Sequence, residues 1–282
     1  MNVLERLRDK QAAVDVELAR LLAGDCSGLY EVMRYAVLGG GKRYRPLLLL
    51  STGEAFGAGR DVLLPYACAV ELIHSYSLIH DDLPSMDNDD VRRGKPSCHK
   101  AFGEGPALLA GDGLLSLAFE VLSRTPRIPS DSERKDSAIQ DIAAAAGVEG
   151  MIKGQWMDIR PVRDATGEKV FLDMIGRKTG ALILASVRVG AILAGAPASG
   201  LAAATRYGTA VGFGFQIRDD LADAGESGSS AEPNAVAVFG LAGARARLDQ
   251  YIADALRALG DAKVASDELR FLAETLRPSH GQ

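Results

Sequence analysis

Apolar residues recur along this chain every three to four positions, in stretches separated by clusters of glycine and proline rather than in alternation with polar residues. That spacing predicts helices, because a 3.6-residue turn brings positions i, i+3 and i+4 to one face. The breaks fall at 39–41, 126–129, 195–200 and 225–233. They divide helices rather than domains, so residues 1–282 are read as a single all-α domain. Residues 67–80 contain no helix breaker, which places His74 about two turns before Asp81 on the same face. Pro84 blocks a regular continuation, so Asp87 is expected to return toward Asp81 from a bent segment. No proline interrupts 212–223, where Asp219 and Asp223 are four apart and share a face with Gln216.

Polar chemistry gathers at the ends of those two predicted helices. Asp81, Asp82 and Asp87 form one cluster of carboxylates, and Asp219, Asp220 and Asp223 form another. Carboxylates this close repel unless they face water or a cation neutralises them. A single Asp-rich run most simply reads as a solvated face. Here Ile73, Leu78, Ile79 and Leu83 flank the first cluster and Phe213, Phe215, Ile217 and Leu221 the second, which sets both against core. Magnesium suits such clusters, since it takes hard oxygen ligands and is commonly held by carboxylates together with phosphate oxygens.

Cations of the complementary kind occur in 41–45 (Lys42, Arg43, Arg45), at Arg92 and Arg93, and at Lys178. Lysine supplies a point charge, arginine a planar fork that fits phosphate, and the glycines at 39–41 allow close approach of backbone to an anion. The P-loop spacing is absent and no strand is suggested before the glycines. Asp112, between Gly111 and Gly113 in an apolar stretch, is expected to be a buried acid with a partner. Gln155 and Asp158 form either an inward polar pair or a hydrogen-bonded helix contact.

Composition narrows the class. Of 282 residues 47% are hydrophobic, with Ala and Leu dominant, which supports long helices and a substantial core. The net charge of −5, with both signs interspersed, argues against a nucleic-acid partner. Cys26, Cys68 and Cys98 are widely spaced and lack a CxxC pair, so neither a disulfide framework nor a zinc site is expected. The first 22 residues alternate charged and apolar positions, unlike a signal peptide. The longest apolar region, 181–196, is broken by Arg188 and falls short of the ~20 residues a span needs. A cytoplasmic protein without stable membrane insertion is the expectation.

The blocks GGGKRYRP (39–46), ELIHSYSLIHDDLPSMDNDDVRRGKP (71–96), CHKAFGEGPALLAGD (98–112), GRKTGAL (176–182) and GFGFQIRDDLAD (212–223) together resemble the short-chain trans-polyprenyl diphosphate synthases. Within that family they are most similar to the bacterial farnesyl diphosphate synthases. The resemblance covers essentially the whole chain. It implies an isoprenoid-synthase-type helical bundle around a deep central cavity, and a homodimer. The implied reaction condenses isopentenyl diphosphate with an allylic diphosphate, dimethylallyl or geranyl. By matching positions, Lys42, Arg45, His74 and Arg93 hold the isopentenyl diphosphate, while Arg92, Lys178, Thr179 and Gln216 hold the allylic diphosphate. Asp81, Asp87, Asp219 and Asp223 are the implied ligands of three Mg2+ ions, with Asp82 and Asp220 in support. Lys178, Thr179 and Gln216 are the implied catalytic residues, Lys178 acting on the diphosphate and the Thr179 and Gln216 dipoles facing the carbocation.

Tyr76, five residues before Asp81, occupies the position of the cavity floor, and its aromatic ring is similar to that of farnesyl synthases. A fifteen-carbon product is expected; a geranylgeranyl synthase is the alternative. One departure stands out. Relatives of this kind carry lysines after the second acidic motif, one of which reaches the allylic diphosphate, yet this chain has no lysine between Thr179 and Ala262. A weakened homologue acting as a regulatory or binding subunit is therefore the reading from a different class.

Overall fold

The computed structural model describes residues 1–24, 28–125, 132–159, 167–226, 234–261 and 264–278. Cys26 and most of the lysine-free stretch after Asp223, residues 227–233, lie outside them. The described chain is helical apart from its connecting turns, kinks at Gly150 and Gly240 and one two-residue-stranded hairpin, in agreement with the all-α expectation. It separates into two compact units, one running to Leu50 and again from Gly59 through the helix ending at Arg124, the other taking Ser51–Ala58 and everything from Ser132 onward.

The first unit contains α1 (Val3–Leu21), α2 (Leu29–Leu38), most of α3 (Tyr44–Ala55), α4 (Arg60–Asp81), the strands β1 (Val91–Arg92) and β2 (Lys95–Pro96), α5 (Cys98–Phe102) and α6 (Glu104–Arg124). Its axis is α4, against which α1, α2 and α6 pack. Leu63, Ala67, Val70, Leu72 and Ile73 are wholly buried, as expected of a helix apolar on every side. Tyr66 is buried with them, and its hydroxyl lies 3.3 Å from that of Thr125. By length and composition α4 and α6 each have what a membrane span needs; 67% of the most apolar window of α4 and 39% of that of α6 is covered by protein.

The second unit contains α7 (Ser132–Ala146), a π-turn (Val148–Ile152), α8 (Lys153–Ile159), α9 (Glu168–Ile175), a second π-turn (Gly176–Gly180), α10 (Ala181–Leu193), α11 (Ala198–Glu226), α12 (Ala235–Asp261) and α13 (Asp267–Glu274). The helices α7, α10, α11 and α12 pack in succession. Tyr207 is wholly buried on α11 and donates its hydroxyl to the Leu269 carbonyl at 2.7 Å, tying in α13. Where α11 meets the second π-turn the backbones nearly touch: a Cβ on Gly212 would come within 2.9 Å of the Gly180 Cα. That closeness sets the distance between the residues on either side.

Two sequence expectations are corrected here. Asp112 is exposed, with 61% of its side chain open and His80 Nε2 at 3.9 Å. The inward position beside it belongs to Gly111, where the His80 ring occupies the space a Cβ would take. The Arg92–Lys95 hairpin, which the helical reading passed over, turns through Arg93 and Gly94 at φ 55° and 74°, the mirror-image turn that matches strand twist.

Candidate active site

In the first unit, α4 ends at Asp81 and Asp82 caps it. Pro84 prevents another turn, and the chain folds back so that the Asp87 amide donates to the Asp81 carbonyl at 2.9 Å. The return of Asp87 predicted from Pro84 is thus present in the backbone. Asp81 is half-buried and Asp87 exposed, whereas Asp82 is only 2% exposed. Arg92 donates to Asp82 through Nε at 2.9 Å and again through Nη2, and reaches Asp89 at 2.9 Å. Burial pushes the Asp82 carboxyl above its ordinary range, and the bond from Arg92 pulls it back.

The glycine-rich loop and the hairpin are knitted together. Gly41, at φ 135°, lets the Arg93 guanidinium approach to 3.0 Å from where a Cβ would stand, and Arg93 donates to the Gly40 carbonyl. Lys42 projects into solvent and Arg45 is buried. Arg43, grouped with them in the sequence, turns inward instead. It is 3% exposed and donates to Asp15 at 2.7 Å, Glu71 at 2.8 Å and the Val37 carbonyl at 2.7 Å. These bonds brace α1, α2 and α4 against one another.

His74 is half-buried on α4. Desolvation holds its pKa well below the ordinary 6.5, and the positive charges of Arg45, Arg93, Arg43 and Arg92 lower it further. A neutral imidazole among guanidinium groups is a donor and acceptor for an anion, while the arginines carry the charge. Tyr76 is 7% exposed and meets the His80 ring edge-on at 5.7 Å. Burial and the Asp81 carboxylate push its hydroxyl up to about 12, so it stays protonated.

In the second unit, the close passage of Gly180 and Gly212 brings Thr179 to Gln216. The Thr179 hydroxyl donates to Gln216 Oε1 at 2.6 Å, Gln216 Nε2 donates to Asp220 Oδ1 at 2.8 Å, and Asp220 Oδ2 accepts the Ala235 amide at 2.7 Å. Asp220 therefore ties α11 to the first residue of α12. Lys178 donates to Asp158 on α8, which resolves the role left open for that acid. Gln155 on the same helix has both amide atoms buried without a hydrogen-bond partner. Sequence spacing alone gave no signal for either arrangement, because both depend on the backbone of Gly154 lying against that of Lys178.

Asp219 and Asp223 lie on the last turns of α11. Burial raises the Asp219 pKa, Arg218 beside it lowers it, and the charges of Asp223 and Asp220 raise it again. Arg218, which the sequence reading did not single out, donates to Asp219 and lies 4.8 Å above the Phe215 ring. Among the described residues no three His, Cys, Asp or Glu side chains converge closely enough to hold a metal ion. The chemistry of the donor set nevertheless fits magnesium: hard carboxylate oxygens, partly desolvated, whose mutual repulsion a divalent cation relieves.

Residues 27–234 match the family model described as Polyprenyl synthetase. The chain is 40% identical to a farnesyl diphosphate synthase of Geobacillus stearothermophilus, over 97% of each chain. It is 44% identical to a chloroplastic geranylgeranyl pyrophosphate synthase of Catharanthus roseus, over 71% of this chain and 56% of that one. Its structure is similar to an apo FPP/GFPP synthase of Zymomonas mobilis, with a TM-score of 0.87 at 36% identity, covering 97% of this chain and 98% of the other.

Proposed function

The chain belongs to the polyprenyl synthetase family, and within it we propose that the whole of 1–282 is one catalytic domain of a farnesyl diphosphate synthase. Enzymes of this kind are trans-prenyltransferases that join isopentenyl diphosphate to an allylic diphosphate. The observation that supports the reading best is the state of the cations. Arg92 and Lys178 are each preorganised by a carboxylate at the polar ends of the two units, while His74 is held neutral among arginines.

Lys42, Arg45, His74 and Arg93 hold the isopentenyl diphosphate in this reading, and Arg92 and Lys178 the allylic one. Asp81, Asp87, Asp219 and Asp223 would hold Mg2+, three ions in all. When bound, magnesium supplies positive charge that stabilises the departing diphosphate. The C1–O bond of the allylic substrate breaks with its electron pair leaving on the diphosphate, to which Arg92 and Lys178 add hydrogen bonds. The double bond of isopentenyl diphosphate, oriented by His74 and its arginines, then attacks the allylic carbon. A proton leaves C2 of the added unit, and the released diphosphate accepts it. Thr179 and Gln216 are locked to one another by their 2.6 Å bond, so their dipoles are fixed before the cation forms.

The buried ring of Tyr76, five residues before Asp81, sets the floor at fifteen carbons. A homodimer working in the cytoplasm completes the proposal. The test is incubation with isopentenyl diphosphate and either dimethylallyl or geranyl diphosphate, with Mg2+ and with chelator, reading product length by mass spectrometry. Farnesyl diphosphate made only with Mg2+ is the expected result, and Tyr76→Ala should add a twenty-carbon product. A twenty-carbon product from the wild type would discard the floor; no product from either primer would discard the synthase.

A further inference from the structure

On an α-helix, neighbouring residues project about 100° apart and do not face one another. Arg218 and Asp219 nonetheless join directly, because the arginine side chain bends across the helix over the face of Phe215. The contact is partly covered: the Arg218 side chain is 21% and that of Asp219 40% exposed, and Arg218 Nε is buried with no hydrogen-bond partner. Arginine offers five donors, so the resting arrangement leaves this guanidinium under-used and one of its donors unmet. The stretch 216–223 carries three aspartates and this single cation. No lysine lies between Thr179 and Ala262; of the other arginines there, Arg188, Arg206, Arg247 and Arg257 are engaged with Asp141, Asp261, Glu168 and Asp254, and Arg245 is exposed on α12.

We propose that Arg218 is an exchangeable cation, holding the Asp219 carboxylate in the metal-free chain and turning to the allylic diphosphate once a divalent ion takes that carboxylate. The proposal rests on the synthase reading and extends it to a residue outside the implied ligand set. A divalent ion competes for Asp219 with twice the charge of a guanidinium. The displaced side chain stays tethered beside the acidic motif, and its planar fork fits the oxygens of a diphosphate. Arg218 thereby supplies positive charge after the second acidic motif in a chain that has no lysine there.

The exchange predicts effects of opposite sign, which a merely structural role would not produce. Isothermal titration calorimetry on the full chain, first with MgCl2 alone and then with inorganic pyrophosphate at saturating Mg2+, reads both. In R218Q the metal alone should bind about threefold more tightly, since no internal cation competes, while pyrophosphate should bind about tenfold more weakly, the scale of one charge-assisted contact. R218K should recover part of the pyrophosphate affinity, and the KM for the allylic substrate should rise in R218Q while that for isopentenyl diphosphate stays unchanged. Unchanged pyrophosphate affinity in R218Q, or metal and pyrophosphate weakened together, overturns the proposal, as does a wild type that binds no pyrophosphate. A wild type that shows the exchange yet forms no prenyl product would sink the synthase reading and leave the exchange supported. Should R218Q not fold, R218K decides alone: intermediate pyrophosphate affinity supports the exchange, and wild-type affinity overturns it.

Discussion

Arg92 donates to Asp82 through Nε at 2.9 Å, and Asp82 is the one carboxylate of its cluster that is 2% exposed. The pair joins the end of α4 to the hairpin that carries Arg93. Asp82 thus carries its charge inside the protein, paired with Arg92, whereas Asp81 and Asp87 are the ligands proposed for the cation. Asp82→Ala should cost about 1–3 kcal/mol of stability, the penalty for unpairing a buried charged bond, at the lower end because the Arg92 side chain is 36% exposed. Asp81→Asn should cost less stability than Asp82→Ala and abolish Mg2+-dependent turnover. Urea unfolding midpoints and rates for both variants check the contrast.

Arg43 belongs by sequence to the basic block and by structure to the core. Its partner Glu71 has 2% of its side chain exposed, so removing the arginine strands a buried carboxylate. Arg43→Met should destabilise the protein by about 3–5 kcal/mol, and the double variant Arg43→Met, Glu71→Met should regain much of that loss. Failure of the double variant to recover, measured by chemical denaturation, would mean that the bonds to Asp15 and Val37 carry most of the effect.

The pH dependence of His74 has a definite sign. Its folded pKa lies below 6.5, so between the two values the unfolded chain binds a proton that the native chain refuses. Its contribution to stability is intact above pH 6.5 and is lost as the pH falls toward the folded value. His74→Gln should therefore flatten the drop in melting temperature seen on acidification below pH 6.5. The KM for isopentenyl diphosphate should show no step near 6.5 in the wild type, because the imidazole remains neutral there.

Asp219 and Asp220 are adjacent and should respond differently. Asp220 accepts from Gln216 and from the first amide of α12, so Asp220→Ala should loosen that helix start and cost about 1–2 kcal/mol. Asp219→Asn should leave the melting temperature within a degree or two of wild type and weaken Mg2+ binding. Calorimetric melting and metal titration on the two proteins distinguish an anchoring carboxylate from a metal-facing one.

The helical class, the break at 39–41, the break expected at 195–200 and found at 194–197, the fold-back of Asp87 and the shared face of Asp219 and Asp223 were all legible in the sequence. Each follows from local rules: the 3.6-residue period, the fixed φ and missing amide of proline, and the freedom of glycine. The family was legible too, in the five motif blocks, and residues 27–234 match the family model; that the carboxylates hold a cation belongs to the proposed function. What the sequence left open was which member of a charged cluster faces outward. Arg43 rather than Lys42 turns into the core, Asp82 rather than Asp81 takes Arg92, Asp158 finds Lys178, and Asp112 lies in solvent while Gly111 takes the inward place. Those choices were decided by tertiary structure, because burying a charge is favourable only where a partner from a distant segment meets it. A sequence position shows that a charge exists; which segment comes to meet it depends on how the helices pack, here through contacts as close as that of Gly180 with Gly212.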